Sequence, residues 1–432
     1  MFMNKNKKQE FDNMESIKLF LSINKKVLAL LTVFALCICS GCGENANSVR
    51  LSSSSMPDFQ YMFKYDGARI PTQKSDSGYY NIVSDRIIFT DSETLDSTPL
   101  CNKTDCLHTG DFPDCNAKIN DMEGSFDNFQ IYRDKMYYLA TRYNENTDEV
   151  STILKSTSLD GTQSDTAMEF KDKFICDWFI YDEYFYYQTS ASISEENSET
   201  QAGNYYRVSL TDKREEEFID FSKLDGIYGA SGTLRNVYDG YMYVTVNGYE
   251  NKADYEKIIK GEKIDGEVST VRKIGRYSLA DGSFTTIDPY NNDYEFVGFS
   301  DGKLVGTDTV KDKKKVCISE LDGTNPQTVT EINNSYRVFC DDSYIYVYNQ
   351  SAVDEGTDDK IISVYDKNGE KKSDVTVPDE VNDVMYAITF GDDYMWFQKS
   401  EESGAQVLCC IKKSDLLNSG KELTYKEVYR YE

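Results

Sequence analysis

The stretch FIYDEYFYY, residues 179–187, decides the fold. An apolar run ends at Tyr181, two acidic residues bend the chain, and an aromatic run leads away. Two strand-forming runs separated by a short polar turn are the signature of a β-hairpin. The same grammar recurs as NIVSDRIIF at 81–89, QIYRDKMYY at 130–138, NVYDGYMYV at 236–244, VGFSDGKLVG at 297–306, RVFCDDSYIYV at 337–347 and ITFGDDYMWF at 388–397. These seven copies are centred on Asp85, Asp134, Asp182, Asp239, Asp301, Asp342 and Asp392, at intervals of 41 to 62 residues.

A second turn falls between these centres. It closes ILKSTSLDGT at 153–162, YYRVSLTDK at 205–213, IGRYSLADG at 274–282, VCISELDGT at 316–324 and IISVYDKNG at 361–369. Asp-Gly and Asn-Gly supply the positive φ that tight hairpins need. Each unit therefore holds about four strands in a meander, and units of 40–50 residues match the blades of a β-propeller. A lone blade cannot bury both faces, so the units must stack around an axis. The pattern predicts an all-β propeller of about seven four-stranded blades over residues 58–432, with six or eight still open. Polar insertions at 192–204 and 247–267 read as loops on one rim, the second with a short helix near Tyr255–Lys260. The strands at 423–431 and 59–65 are candidates to share one blade and close the ring.

Composition agrees. Tyr is abundant (33 residues) and Pro scarce (7), and aromatic residues favour the half-buried surface of a sheet. The net charge is −27. Six lysines against three acidic residues in 1–41 make a surplus of +3, which leaves −30 on the rest of the chain. Such a polyanion is repelled by nucleic-acid phosphates and by anionic lipid headgroups, which excludes nucleic acid as a partner.

The start of the chain is organised differently. Lys25-Lys26 precede the apolar run VLALLTVFALCIC at 27–39, and Ser40-Gly41-Cys42 follow. Charged, apolar, then small residues is the order of an export signal, and the run is too short to span a bilayer comfortably. Residues 14–42 alone form a more compact signal, so Met14 is an alternative start. Gly41-Cys42 resembles the lipobox of bacterial lipoproteins, with Cys39 where Leu is usual. That resemblance implies a signal peptide at 1–41, a diacylglycerol on Cys42, and anchoring at the outer face of the cell membrane through lipid alone. A plain secretory peptide or an uncleaved anchor is the alternative. Residues 42–57 are small and polar and read as a flexible tether.

Cys101, Cys106, His108 and Cys115 fall within fifteen residues, and His108 is the only histidine in the protein. Three thiolates and one imidazole match a closed tetrahedral zinc site of the structural kind. A disulfide between two of the cysteines fits an exported protein as well, and free thiols are a third possibility. Four protein ligands leave no open position for water, which argues against catalytic zinc. The loop is expected to staple the first blade to the second. Cys176, Cys317, Cys340, Cys409 and Cys410 sit in strand patterns and read as core filling. The alternative is a link from Cys409 or Cys410 to Cys340 or Cys317.

The LDGT turns at 159–162 and 321–324, with IIFTD at 87–91, resemble the propeller repeats of the low-density-lipoprotein-receptor type. The segment TPLCNKTDCLHTGDFPDCNA at 98–117 is similar to one shared by a group of propeller lipoproteins from anaerobic Gram-positive bacteria. The first resemblance implies a fold, the second a propeller on the cell surface. Neither implies an activity.

With its one histidine in the cysteine cluster, the chain lacks a base for Ser–His or Cys–His nucleophilic chemistry. It has no Gly-rich phosphate loop and no EF-hand-like run. The turn aspartates recur because turns need them. Trp178 and Trp396 could form a carbohydrate platform, but both lie inside strand patterns, which points to packing. The sequence therefore predicts no catalytic residue. The leading expectation is a binding or scaffold module for a protein, peptide or glycan partner. A polysaccharide-acting enzyme using carboxylates in the funnel, or an envelope assembly or sensing accessory, are the alternatives.

Overall fold

A computed structural model describes residues 72–431 apart from internal segments, the longer of which are 109–114, 120–128, 191–201, 288–293, 350–359 and 382–388. The signal segment, Cys42, the tether and the strand expected at 59–65 lie outside the described residues.

Among the described residues the chain forms seven four-stranded antiparallel sheets, each a meander of consecutive strands. Blade 1 holds β1 (Thr72–Lys74), β2 (Gly78–Val83), β3 (Arg86–Asp91) and β4 (Ser97–Pro99). Blade 2 holds β5 (Phe129–Tyr132), β6 (Lys135–Asn144), β7 (Glu149–Ser158) and β8 (Ser164–Lys171), and blade 3 holds β9 (Ile175–Tyr181), β10 (Tyr184–Ser190), β11 (Ala202–Ser209) and β12 (Glu215–Ile219). Blade 4 consists of β13 (Tyr228–Tyr238), β14 (Tyr241–Tyr249), β15 (Thr270–Ser278) and β16 (Phe284–Ile287). Blade 5 consists of β17 (Tyr294–Ser300), β18 (Lys303–Val310), β19 (Lys313–Ser319) and β20 (Gln327–Asn333). Blade 6 has β21 (Tyr336–Cys340), β22 (Ile345–Asn349), β23 (Ile361–Tyr365) and β24 (Lys371–Thr376), and blade 7 has β25 (Thr389–Phe390), β26 (Tyr394–Ser400), β27 (Gln406–Lys412) and β28 (Lys426–Tyr431).

Buried side chains gather between the blades, one cluster to each junction. Trp178 and Phe185 of blade 3 meet Leu154 and Phe170 of blade 2. Phe299 and Leu304 of blade 5 meet Tyr243 and Ile274 of blade 4. The last cluster joins Tyr79, Val83 and Ile88 of blade 1 to Trp396, Leu408 and Cys410 of blade 7, so the ring closes. First strands of successive blades lie side by side, as with β5 and β9 or β17 and β21, which places them around the axis. The outer strands β12 and β28 carry mostly exposed or half-buried side chains.

Of the two strands expected to share a blade, only the C-terminal one lies among the described residues. No blade among the described residues mixes the two chain ends: β28 completes blade 7 beside β27, and blade 1 takes all four strands from 72–99. The seam is held by side chains. Gln398 Nε2 donates to the Ile82 carbonyl at 2.6 Å, and Lys426 Nζ to that of Thr94 at 3.1 Å. Lys74 pairs with Asp393 at 3.5 Å.

The repeat is also entered one hairpin earlier than predicted. In six blades the repeated turn joins the first and second strands, but Asp85 lies between β2 and β3. In blade 1 the equivalent turn is Ser75–Ser77, where the Ser75 N–H bonds the Gly78 carbonyl at 2.8 Å, as the Asp341 N–H bonds that of Tyr344 at 3.0 Å. The short β1 hid it. The insertion in blade 4 starts later than predicted, because β14 runs to Tyr249. Its helix α1 (Lys252–Ile259) is capped by the Asn251 side chain, which accepts from the Ala253 N–H at 2.8 Å. Most of the 192–204 insertion lies outside the described residues, and β11 takes up its end.

The turns follow the expected chemistry. Asp239 and Gly240 have φ of 49° and 76°, Asp301 and Gly302 of 45° and 73°, as two-residue hairpins require. At the second turns the aspartate caps the bend. Asp160 accepts from Ser158 Oγ at 2.6 Å, the Thr162 N–H at 2.9 Å and Thr162 Oγ1 at 2.7 Å. These bonds hold its carboxyl down from 3.8 to about 2. Asp281 and Asp322 are lowered by equivalent bonds from Ser283 and Thr324. A folded pKa below the unfolded one gives stability that is present above the unfolded value and lost as pH falls through the folded value. Thermal melts should therefore shift downward between about pH 4 and pH 2. Melts that stay level across that interval would contradict the role of the turns.

Candidate metal centre

The cysteine–histidine loop grows out of the outer edge of blade 1. β4 runs beside β3 until the Leu100 N–H bonds the Ile87 carbonyl at 2.9 Å, and there the chain leaves the sheet. It returns after Cys115 and takes up the same edge: the Ile87 N–H bonds the Ala117 carbonyl, and the Ile119 N–H bonds that of Asp85, both at 2.9 Å. Lys118 stands opposite Arg86 in an antiparallel bridge. Residues 101–116 are thus an excursion from an interrupted fourth strand.

Its mouth is tied to blade 2. Asn116 Nδ2 donates to Asn102 Oδ1 and to the Gly161 carbonyl, both at 2.9 Å. Tyr80 Oη donates to the Leu159 carbonyl at 2.9 Å. Cys115, Ala117 and Ile119 pack with Ile82 and Ile87 of blade 1 and Phe129 and Met136 of blade 2. The loop joins the first two blades, as expected from its place in the chain.

Cys101, Cys106, His108 and Cys115 come together. Their donor atoms lie within 4.8 Å of one another, and His108 Nδ1 is 3.6 Å from Cys115 Sγ. With zinc–sulfur bonds near 2.3 Å, the edge of a tetrahedron is about 3.8 Å. A contraction of about 1 Å or less would bring the widest pair to that length, so the set fits an ion of this kind. The Cα of His108 has φ of 54°, a left-handed conformation that is uncommon outside glycine. It turns the chain sharply, leaving the neighbouring Leu107 70% exposed.

The thiols are not alike. Cys115 is 2% exposed, and burial, together with the bond its thiol donates to Cys106, pushes its pKa up. Burial also opposes ionisation of Cys101, but hydrogen bonds from Lys103, Asn116, Cys115 and Cys106 outweigh it and lower its pKa. A bound divalent cation would deprotonate the thiols outright. With all four donors engaged on an ion, no coordination position would remain for water, which would make such a centre structural in kind.

Arg86 was not singled out from the sequence. It is fully buried, with Nη1 3.0 Å from Asp85 Oδ1 and its guanidinium 4.7 Å from the centre of the Tyr431 ring. Burial works to lower its pKa, but the Tyr431 hydroxyl, Asp85 and Cys115 together raise it, so it stays cationic. The only sequence signal was an arginine opening the apolar run RIIF.

The other predicted residues fall into the core or apart from it. None of the eight described cysteines is disulfide-bonded, and the four in the core stand at four different junctions. Cys317 lies between blades 4 and 5, Cys340 between 5 and 6, Cys409 between 6 and 7, and Cys410 between 7 and 1. A bond from Cys409 or Cys410 to Cys317 or Cys340 would have to cross a whole blade. Cys176 is exposed on the first strand of blade 3, contrary to the core reading. Trp178 and Trp396 are buried, so neither forms a surface platform. Among the described residues, no helix is long and apolar enough to cross a membrane.

Ring and loop together define a seven-bladed β-propeller with a four-donor Cys/His centre on the edge of its first blade. No protein-family model and no curated protein matches the chain. Among solved structures it is similar to dipeptidyl peptidase 4 of Porphyromonas gingivalis, with 10% identity over 85% of this chain and 54% of that one at a TM-score of 0.43. A structure from a study of two prolyl endopeptidases matches with 9% identity over 83% and 49% at a TM-score of 0.48. The chain thus spans about half the length of each. The propeller domain of the Trilobed protease of Pyrococcus furiosus matches with 13% identity over 87% and 98% at a TM-score of 0.40. These are likenesses of chain path, and no activity comes with them.

Proposed function

We propose that this chain is an exported lipoprotein, held at the outer face of the cell membrane by a diacylated Cys42, whose propeller is a binding scaffold for a protein, peptide or glycan partner. A structural zinc ion on Cys101, Cys106, His108 and Cys115 braces the first two blades. One observation carries the scaffold reading: the only histidine is gathered with three cysteines into a closed four-donor set, and so is lost to acid–base work. The acidic groups point the same way. Asp220, Glu215 and Glu427 are held below the ordinary carboxylate range by their hydrogen-bond partners, the reverse of what a general acid needs.

The anchor is tested by labelling cells with a palmitate analogue and partitioning the chain in detergent. The native protein should carry label and enter the detergent phase, while Cys42→Ser should do neither. A labelled Cys42→Ser variant would overturn the anchor. The scaffold is tested by presenting the purified full chain to a glycan array and a peptide library, beside a panel of polysaccharides assayed for cleavage. Binding without cleavage is expected. Cleavage, or silence on both arrays, would contradict it.

A further inference from the structure

We propose that the metal loop is the clasp of the ring: an ion on Cys101, Cys106, His108 and Cys115 holds residues 117–119 around Arg86, Arg86 holds the C-terminal strand through Tyr431, and occupancy of the loop sets how tightly blade 7 is shut against blade 1. This rests on the metal reading above and extends it to the far side of the blade.

The seam has reason to need a clasp. In a propeller where one blade takes strands from both chain ends, opening the ring breaks a ladder of backbone hydrogen bonds. Among the described residues β28 and blade 1 share no ladder, and what joins them there is one packed cluster and a few side-chain bonds.

Arg86 lies where both structures meet. Its neighbours Asp85 and Ile87 give the carbonyl and N–H that receive Ile119 and Ala117 as the loop returns to the sheet. Its own side chain reaches the other way, over the ring of Tyr431 in β28. Tyr429 and Tyr431 of that strand pack against the seam cluster. A buried guanidinium keeps its place only while its surroundings are fixed, because an arginine released toward water gains hydration. The returning segment 117–119 is part of those surroundings, and Cys115 and Cys101 are the residues at which the loop leaves and rejoins the sheet. Freeing them loosens the edge against which Arg86 and then β28 are packed.

The test is hydrogen exchange on the full chain, loaded with zinc and then stripped by chelator, with metal content measured on the same samples. Removing zinc should speed exchange about tenfold or more in 426–431 and 78–83, as expected when a local cooperative unit opens. Segment 294–306, on blade 5, should not change. Acceleration confined to 101–119, with 426–431 unaltered, overturns the clasp while leaving the metal site intact. A chain that takes up no zinc overturns the metal reading itself, and the clasp with it. In Arg86→Met, zinc should still bind, while exchange in 426–431 should be fast with or without it. If that variant fails to fold, the native comparison decides alone.

Discussion

Truncating Trp396 to alanine should destabilise the ring by about 3–5 kcal/mol, the usual cost of removing a large aromatic from a core. Trp396 is 0% exposed. Its ring centre lies 5.0 Å from that of Tyr79 across the seam and 6.1 Å from that of Tyr394 on its own strand. The void would open at the junction that no strand bridges among the described residues, where neighbours from two blades would have to move together to fill it. Its indole N–H is buried without a hydrogen-bond partner, and an unpaired buried donor costs about 1–3 kcal/mol. Trp396→Phe removes that donor and keeps much of the contact area, so it should cost clearly less than alanine. Chemical denaturation followed by far-ultraviolet circular dichroism measures both. A loss within about 0.5 kcal/mol for the alanine variant, as at an ordinary surface site, would show that the seam is not packed as described.

The second large effect concerns Cys115, the most buried of the four donors. Cys115→Ser should take metal content from one ion per chain to none. It should also abolish the stabilisation that zinc gives the native chain, about 4 kcal/mol when free zinc exceeds the dissociation constant a thousandfold. The propeller should still fold, because six of the seven interblade clusters contain no residue of the loop, and Cys115 belongs to the remaining one. Calorimetry of both chains with and without zinc separates the terms. The native midpoint should rise with zinc and that of the variant should not. An equal rise in both would place the ion elsewhere.

Much of this architecture was legible because it is written in repeated turns. A hairpin such as Tyr238-Asp239-Gly240-Tyr241 needs positive φ at two adjacent positions, and few residues accept that. Blade count and meander order follow from finding that pattern seven times. The cluster of Cys101, Cys106, His108 and Cys115 was legible because rare residues were crowded into one short loop. What the sequence hid depends on contacts distant in the chain. Gln398 meets Ile82, and Tyr431 meets Arg86, and no local pattern joins residues so far apart. The entry to blade 1 was hidden differently: β1 is only three residues long, too short for alternation to show. Cys176 misled because an apolar setting in the sequence does not tell which face of a first strand turns toward the axis.

X-ray absorption at the zinc edge, on full-length chain purified without added chelator, tests the four-donor centre most directly. One zinc per chain is expected, bound by three sulfurs at about 2.3 Å and one nitrogen at about 2.0–2.1 Å, with no oxygen ligand. A chain without stoichiometric metal, whose mass after thiol labelling shows a disulfide among Cys101, Cys106 and Cys115, would contradict it.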